Sequence, residues 1–158
     1  ILAFNAIGRK DPVEYQDDWS SVLSHALSIE AEHLDNVYRR KLTEIQYQVT
    51  RNSATERAFT GIYDQHFETG NYHCVCCNQL LFSSAGKYNS GCGWPAFHTE
   101  DAHANITRVT DYSHGMVRIE VRCSKCDAHL GHVFEDGPRE HGGERYCINS
   151  AALEFREE

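Results

Sequence analysis

The sequence has no apolar run approaching the ~20 residues that a membrane-spanning helix needs, no internal repeat and no low-complexity tract. It is also short of positive charge: 15 Lys and Arg stand against 23 Asp and Glu, a formal net charge of -8 over 158 residues. Each shortage excludes a class of partner. A membrane span falls with the first. Phosphate backbones and anionic membrane surfaces fall with the second, because both need a basic patch and none is visible. The expected partners therefore include neither nucleic acid nor membrane. The opening "ILAFNAIGRK" is too short and interrupted for a signal-peptide core, so an intracellular, cytoplasmic setting is expected. The first residue is not methionine, which leaves room for a targeting segment ahead of it. Inside a cell the triplet "NIT" at 105–107 carries no glycosylation meaning. With 41% hydrophobic residues, one soluble domain with its own core is expected, acting as a monomer.

What the chain does have is cysteine, and the seven are not scattered. Cys74 with Cys77, and Cys123 with Cys126, make two CxxC pairs, each following a strand-like run. Zinc accepts four thiolates tetrahedrally, and a two-residue gap lets one turn present both sulfurs to one ion. The competing reading is a redox dithiol, which sits between a strand and a helix in thioredoxin-like units; no such alternation surrounds either pair. Cys76, Cys92 and Cys147 are left as spare, reactive or buried thiols.

The coarse organisation changes along the chain. Apolar side chains at 19, 22, 23, 26, 27, 34, 37 and 38 recur at three and four, predicting an amphipathic helix over 17–42 that packs on or covers a core. "TEIQ" at 43–46 can open a second short helix with a capping box. From about Thr60 short apolar or alternating runs take over, cut by Gly, Asn and Ser: "GIY", "NYHC", "LLF", "ANITRV", "MVRIEVRC", "HVF" and "RYCINS". These predict antiparallel β. In "GMVRIEVRC" Met116, Arg118, Glu120 and Arg122 are expected on a wet face, with Val117, Ile119 and Val121 on a dry one. The Gly-rich, charged stretch 135–145 is expected as a mobile surface loop leading into the last of these strands.

Three further stretches bear chemistry. In "RYCINS" a strand would set Arg145, Cys147 and Asn149 on one face and Tyr146 and Ile148 on the other. A guanidinium beside a thiol favours the nucleophilic thiolate, although a strand cysteine also serves as a small buried hydrophobe. "HLGHVF" carries His129 and His132, three apart and so on opposite faces of a regular strand; they share one site only if Gly131 lies in a bulge or kink. A fifth metal ligand or a turn cap are the alternatives for these rings. "GCGWPAF" displays Cys92 and Trp94 in a turn stiffened by Pro95, where Trp94 lines a pocket or plugs the core beneath the loop.

Together these stretches resemble the type B methionine sulfoxide reductases, which reduce the R epimer. The resemblance runs from about Leu42 to Phe155 through "YQVTR", "TERAFTGIY", "YHCVCC", "SGCGWPAF", "CSKCDAHLGHVFEDGP" and "RYCINSAALEF". It implies a mainly β fold of two small antiparallel sheets, tent-like, with N-terminal helices and a structural zinc on Cys74, Cys77, Cys123 and Cys126. It places the reductase domain at 43–158 and makes 1–42 a helical extension longer than the family requires. It implies catalysis by Cys147, whose thiolate attacks the sulfoxide sulfur and is left as a sulfenic acid. His129 and His132 would supply protons, Arg145 and Asn149 would position charged groups, and Trp94 and Phe134 would hold the substrate. In many family members the cysteine at the place of Cys92 resolves the sulfenic acid as a disulfide, which a thioredoxin-type protein then reduces. The implied substrate is methionine-R-sulfoxide in proteins or peptides. The sequence departs from the family at Ala96, where serine is usual, a change expected to cost little, and at Cys76, read as a spare thiol. Two rivals remain: a zinc-stapled β-domain that binds a ligand without chemistry, and a redox sensor that oxidises once without turnover. A binder has no need of a thiol framed by Arg145 and Asn149.

Overall fold

The computed structural model describes residues 12–98 and 105–158. Two compact units are present, divided between Arg40 and Lys41. Helix α1, Pro12–Lys41, supplies the first. Proline suits its first turn, where an amide would go unpaired in any case. Trp19, Val22, Leu23 and Leu27 are each more than half exposed, Trp19 at 65%. The periodicity thus predicts the helix correctly but not the burial of these side chains, because the described part of this unit offers no second layer to cover the stripe.

In the second unit, α2 (Glu44–Asn52) begins on the predicted capping box. Gln46 donates its backbone N–H to Thr43 Oγ1 at 3.3 Å, and Thr43 returns its own N–H to Gln46 Oε1 at 2.9 Å. Nine strands follow among the described residues. β1 (Gly70–Cys74), β2 (Leu80–Ser83) and β9 (Leu153–Glu157) form one antiparallel sheet in the order β2-β1-β9. The second sheet has the order β3-β4-β8-β7-β6-β5. It comprises β3 (Lys87–Tyr88), β4 (Ala96–Phe97), β5 (Ile106–Asp111), β6 (Arg118–Cys123), β7 (His129–Phe134) and β8 (Arg145–Ile148). The mainly β class and the two antiparallel sheets are as expected.

An aromatic cluster joins the sheets. Phe82 of β2 stacks on Phe97 of β4 with centroids 4.4 Å apart, Tyr72 of β1 meets Phe97 edge-on at 5.2 Å, and Tyr146 of β8 closes on Phe82 at 5.8 Å. All four are fully buried, each contributing about 1.5–3 kcal/mol through burial alone. This fixes the alternation of β8: Tyr146 and Ile148 enter the core, so Arg145 and Cys147 face the other way.

Three expectations are corrected. "GIY" is a turn with Ile62 78% exposed; Gly61 sits so close under Ser150 and Glu56 that an added Cβ would meet both at 2.2 Å. β6 starts at Arg118, where its partner β5 ends at Asp111, leaving Met116 and Val117 exposed before it. On its wet face Glu120 is buried, because His129 and Arg122 take up its carboxylate. The 135–145 stretch is internally bonded: Gly137 donates to Gly143 O and Gly143 to Pro138 O, around a short 3-10 turn.

The bulge in β7 is present, one residue from where the glycine suggested. Register with β6 runs Val121↔Gly131 and then Arg122↔His129, so Leu130 is the extra residue. That slip returns His129 to the face of His132. Gly131 serves a different need, close approach: a Cβ there would lie 2.0 Å from the Cys147 carbonyl oxygen. We predict that Gly131→Ala lowers stability by about 3 kcal/mol, read as a shift in denaturant midpoint at constant slope. A shift within error would show that β8 can move away freely.

Candidate active site and metal centre

The two CxxC turns are built alike. After β1, Cys74 N–H donates to Gln79 O and Asn78 N–H returns to Cys74 O, with Asn78 at φ 66°. After β6, Cys123 N–H donates to Ala128 O and Asp127 N–H to Cys123 O, with Asp127 at φ 62°. Asn and Asp tolerate this left-handed position better than most residues, which explains "CCN" and "KCD" at the same offset. The four sulfurs lie within 4.8 Å of one another, with Cys74–Cys126 at 3.6 Å and Cys77–Cys123 at 3.5 Å. A tetrahedron of thiolates at ~2.3 Å from an ion has edges of about 3.8 Å, so the set fits a metal ion. Arg51 of α2 and Lys41 donate to the carbonyls of Cys126 and Cys76, tying the helix end to both turns. Cys76 is buried among these sulfurs.

On the outer face of the six-stranded sheet, directly opposed residues share a side, and one row crosses four strands: Ala96, Cys147, His132, Glu120. Arg145 and Phe134 form the next pair, the guanidinium 4.7 Å from the ring centroid and bonded to Asp136 at 2.9 Å. Around Cys147 a cavity of about 200 Å³ is lined by Cys92, Trp94, His132, Phe134, Arg145 and Asn149, with Thr55, Arg118 and Gly131 completing the wall. It has room for one side chain rather than a nucleotide or flavin. The Cys92 and Cys147 sulfurs are 3.9 Å apart, and Ser90 donates its hydroxyl to Cys92 Sγ at 2.9 Å.

Of the site residues expected from sequence, His129 alone is absent from the cavity wall. It is 3% exposed behind His132, ring centroids 5.6 Å apart, and donates Nδ1–H to Glu120 Oε2 at 2.6 Å. Burial pushes the His129 pKa down against the pull of Glu120, so the ring is neutral at pH 7. Burial also opposes the Glu120 charge, but the Arg122 and His129 hydrogen bonds outweigh it and hold that carboxyl below its ordinary range. His132 donates Nε2–H to Asp111 Oδ2 at 2.8 Å, and that bond, with help from Ser113, holds Asp111 well below the usual carboxylate range.

Four supporting residues escaped the sequence reading. Asp111 and Arg118 pair at 3.2 Å beside His132. Thr55 reaches the wall from the segment after α2. Glu56 braces three elements: its carbonyl accepts the Trp94 indole N–H at 3.0 Å, its amide donates to Asn149 Oδ1 at 3.0 Å, and its carboxylate accepts from Ala151 N–H at 2.8 Å. Asn149 also donates to Leu130 O, so both ends of its amide are engaged. Thr55 and Glu56 fall in the "TER" of a motif quoted from the sequence, without a role; Asp111 and Arg118 give no local signal.

The Cys147 thiol is not the pre-formed thiolate that a neighbouring guanidinium suggests. Burial, reinforced by Cys92, pushes its pKa up to about 12, and Arg145 pulls it back only in part. Ala96 contributes a buried methyl opposite Cys147 where a serine would bring a hydroxyl.

The SelR domain family matches residues 42–157. The chain is 57% identical over 121 residues to the peptide methionine sulfoxide reductase MsrB of Burkholderia thailandensis, covering 77% of this chain and 85% of that one. The MsrB proteins of Burkholderia cenocepacia and Burkholderia multivorans are 58% identical over the same shares. The chain belongs to the type B methionine-R-sulfoxide reductases. As a member of that family it is a peptide-methionine sulfoxide reductase, an oxidoreductase whose family works with a thiol reductant. No helix among its described residues is long and apolar enough to cross a membrane.

The raised thiol has a direct readout in the free reductase. In the reduced wild-type chain, alkylation of Cys147 by iodoacetamide, followed by peptide mapping, should keep accelerating from pH 8 to pH 11, and Arg145→Met should slow it several-fold at each pH. A plateau reached by pH 8 would contradict this assignment.

Proposed function

We propose that this reductase works through Cys147 as nucleophile, with residues 43–158 as the catalytic domain and 1–42 as an extension to it. The observation that carries the reading is the contact of two thiols in a cavity sized for one side chain, beneath Trp94 and beside His132. The substrate's thioether methyl rests against Trp94 and Phe134. The Cys147 sulfur attacks the sulfoxide sulfur, His132 gives one proton to the developing oxygen, and the proton lost by the thiol replaces it on His132. Methionine leaves and Cys147 holds the oxygen as a sulfenic acid. His132 is favoured over His129 as the acid because it lines the cavity while His129 lies buried and neutral behind it. Asp111 keeps His132 oriented, and Glu56 keeps Trp94 and Asn149 in place.

Cys92 then attacks the sulfenic sulfur, water departs, and a Cys92–Cys147 disulfide remains for a dithiol protein of the thioredoxin type to reduce. Cys76 is poorly placed to resolve, being buried among the metal-ligand thiols. We read the enzyme as a cytoplasmic monomer, its seven unpaired cysteines being in keeping with a reducing compartment. Cys74, Cys77, Cys123 and Cys126 would hold one structural zinc, which supplies a cross-link between the two turns and takes no part in the chemistry.

The deciding experiment is reduction of a peptide methionine-R-sulfoxide. Cys147→Ser should abolish it, whereas Cys92→Ser should keep one turnover per enzyme, lose thioredoxin-supported cycling and regain part of it with a small thiol. Turnover by Cys147→Ser would sink the mechanism. Metal analysis checks the second element: one zinc per chain is expected, and chelation or Cys123→Ser should remove it and lower the melting temperature by 10 °C or more, on the order expected for loss of a structural site. Unchanged stability after the metal is stripped would refute a structural role.

A further inference from the structure

Cys92 faces two hollows. One is the substrate cavity; the other, about 540 Å³ and more open, is walled by Tyr88, Asn89, Ser90 and Gly91 on one side and by Asp136, Gly137 and Pro138 on the other. Cys92 and Arg145 line both, but Cys147 lines only the first. Gly91 stands at φ 75° with nothing within 4 Å of where a Cβ would lie, so the rim beside Cys92 is unobstructed.

We propose that the second hollow is the docking surface for the dithiol protein and that its attacking thiolate strikes Cys92, not Cys147. This rests on the disulfide of the preceding reading and extends it to the partner. Thiol–disulfide exchange needs the incoming sulfur in line with the bond it breaks, behind the sulfur attacked. Cys147 lines the substrate cavity alone. It is reached only through a cavity that fits one side chain, whereas a protein thiol arrives on backbone and needs the wider opening. Attack on Cys92 forms a bond between the reductant sulfur and Cys92, breaks Cys92–Cys147, and releases Cys147 as a thiolate that takes up a proton. The reductant's second thiol then attacks its own first sulfur, and Cys92 leaves as a thiolate that receives the Ser90 hydrogen bond at 2.9 Å. Two electrons pass from the dithiol to the enzyme disulfide.

Attack at Cys92 makes the buried Cys147 the leaving group, which opposes the assignment. Two of the three influences that raise the Cys147 thiol come from Cys92 itself, as a charge and as a hydrogen-bond partner. Both vanish once Cys92 is bound to the reductant, and Arg145 then acts against burial alone.

The test uses the full chain, oxidised with one equivalent of peptide methionine-R-sulfoxide and mapped for the Cys92–Cys147 disulfide before any reductant is added. A thioredoxin whose second cysteine is serine is then supplied, and the trapped conjugate is digested and mapped. The expected product joins the thioredoxin to Cys92 and leaves Cys147 free to alkylate. A conjugate at Cys147 overturns the proposal while leaving the disulfide mechanism intact; absence of the initial disulfide overturns both. A second measurement is kinetic. Tyr88→Ala should raise KM for thioredoxin about tenfold, the loss of one moderate interface contact, without changing the first-turnover rate or cycling with a small dithiol. An equal loss with both reductants, or no change in KM, would also overturn it.

Discussion

The whole site depends on a single backbone irregularity, the extra residue at Leu130 in β7. Without it His129 would turn to the face opposite His132, and the Leu130 carbonyl would not meet Asn149. Buried in the core, Leu130 locks the slip from below, and Arg122 and Glu120 of β6 lock it from beside. Glycine at 131 then lets the Cys147 carbonyl come close enough for β8 to pair in register. Cys147, the cavity-facing imidazole of His132 and the buried imidazole of His129 are thereby set by pairing of three strands, which is far stiffer than any loop could be.

Charge in the site is arranged against the easy expectation. A cationic Arg145 beside Cys147 does not create a standing thiolate, because a sulfur set among Ala96, Trp94 and the sheet loses more from dehydration than it gains from one guanidinium already shared with Asp136. A protonated resting thiol is a poor target for adventitious oxidants and alkylators.

What could be read from sequence alone follows how local each signal is. The two CxxC turns, the capping box at Thr43 and the in-out alternation of Tyr146 and Cys147 each depend on neighbours within five residues, and each reading holds in the structure. The need for a bulge between His129 and His132 could be posed from spacing, but its place could not, since Leu130 becomes the extra residue only through the register with Val121 and Arg122. Glu56, Asp111 and Arg118 work through partners 7 to 95 positions away, and no pattern around them names those partners. "GIY" looked like a strand because its composition suits one; it lacks a neighbour to pair with, and Glu56 and Ser150 hold it as a turn.

The thiols of this chain differ in what can reach them. Cys74 and Cys123 have no accessible surface, Cys77 and Cys126 are half-buried, and Cys92 sits at the meeting of two openings with Cys147 lining one of them. Each CxxC turn thus pairs a sealed sulfur with a reachable one. A small oxidant that finds the outer sulfur of a turn still leaves the inner one covered by the core.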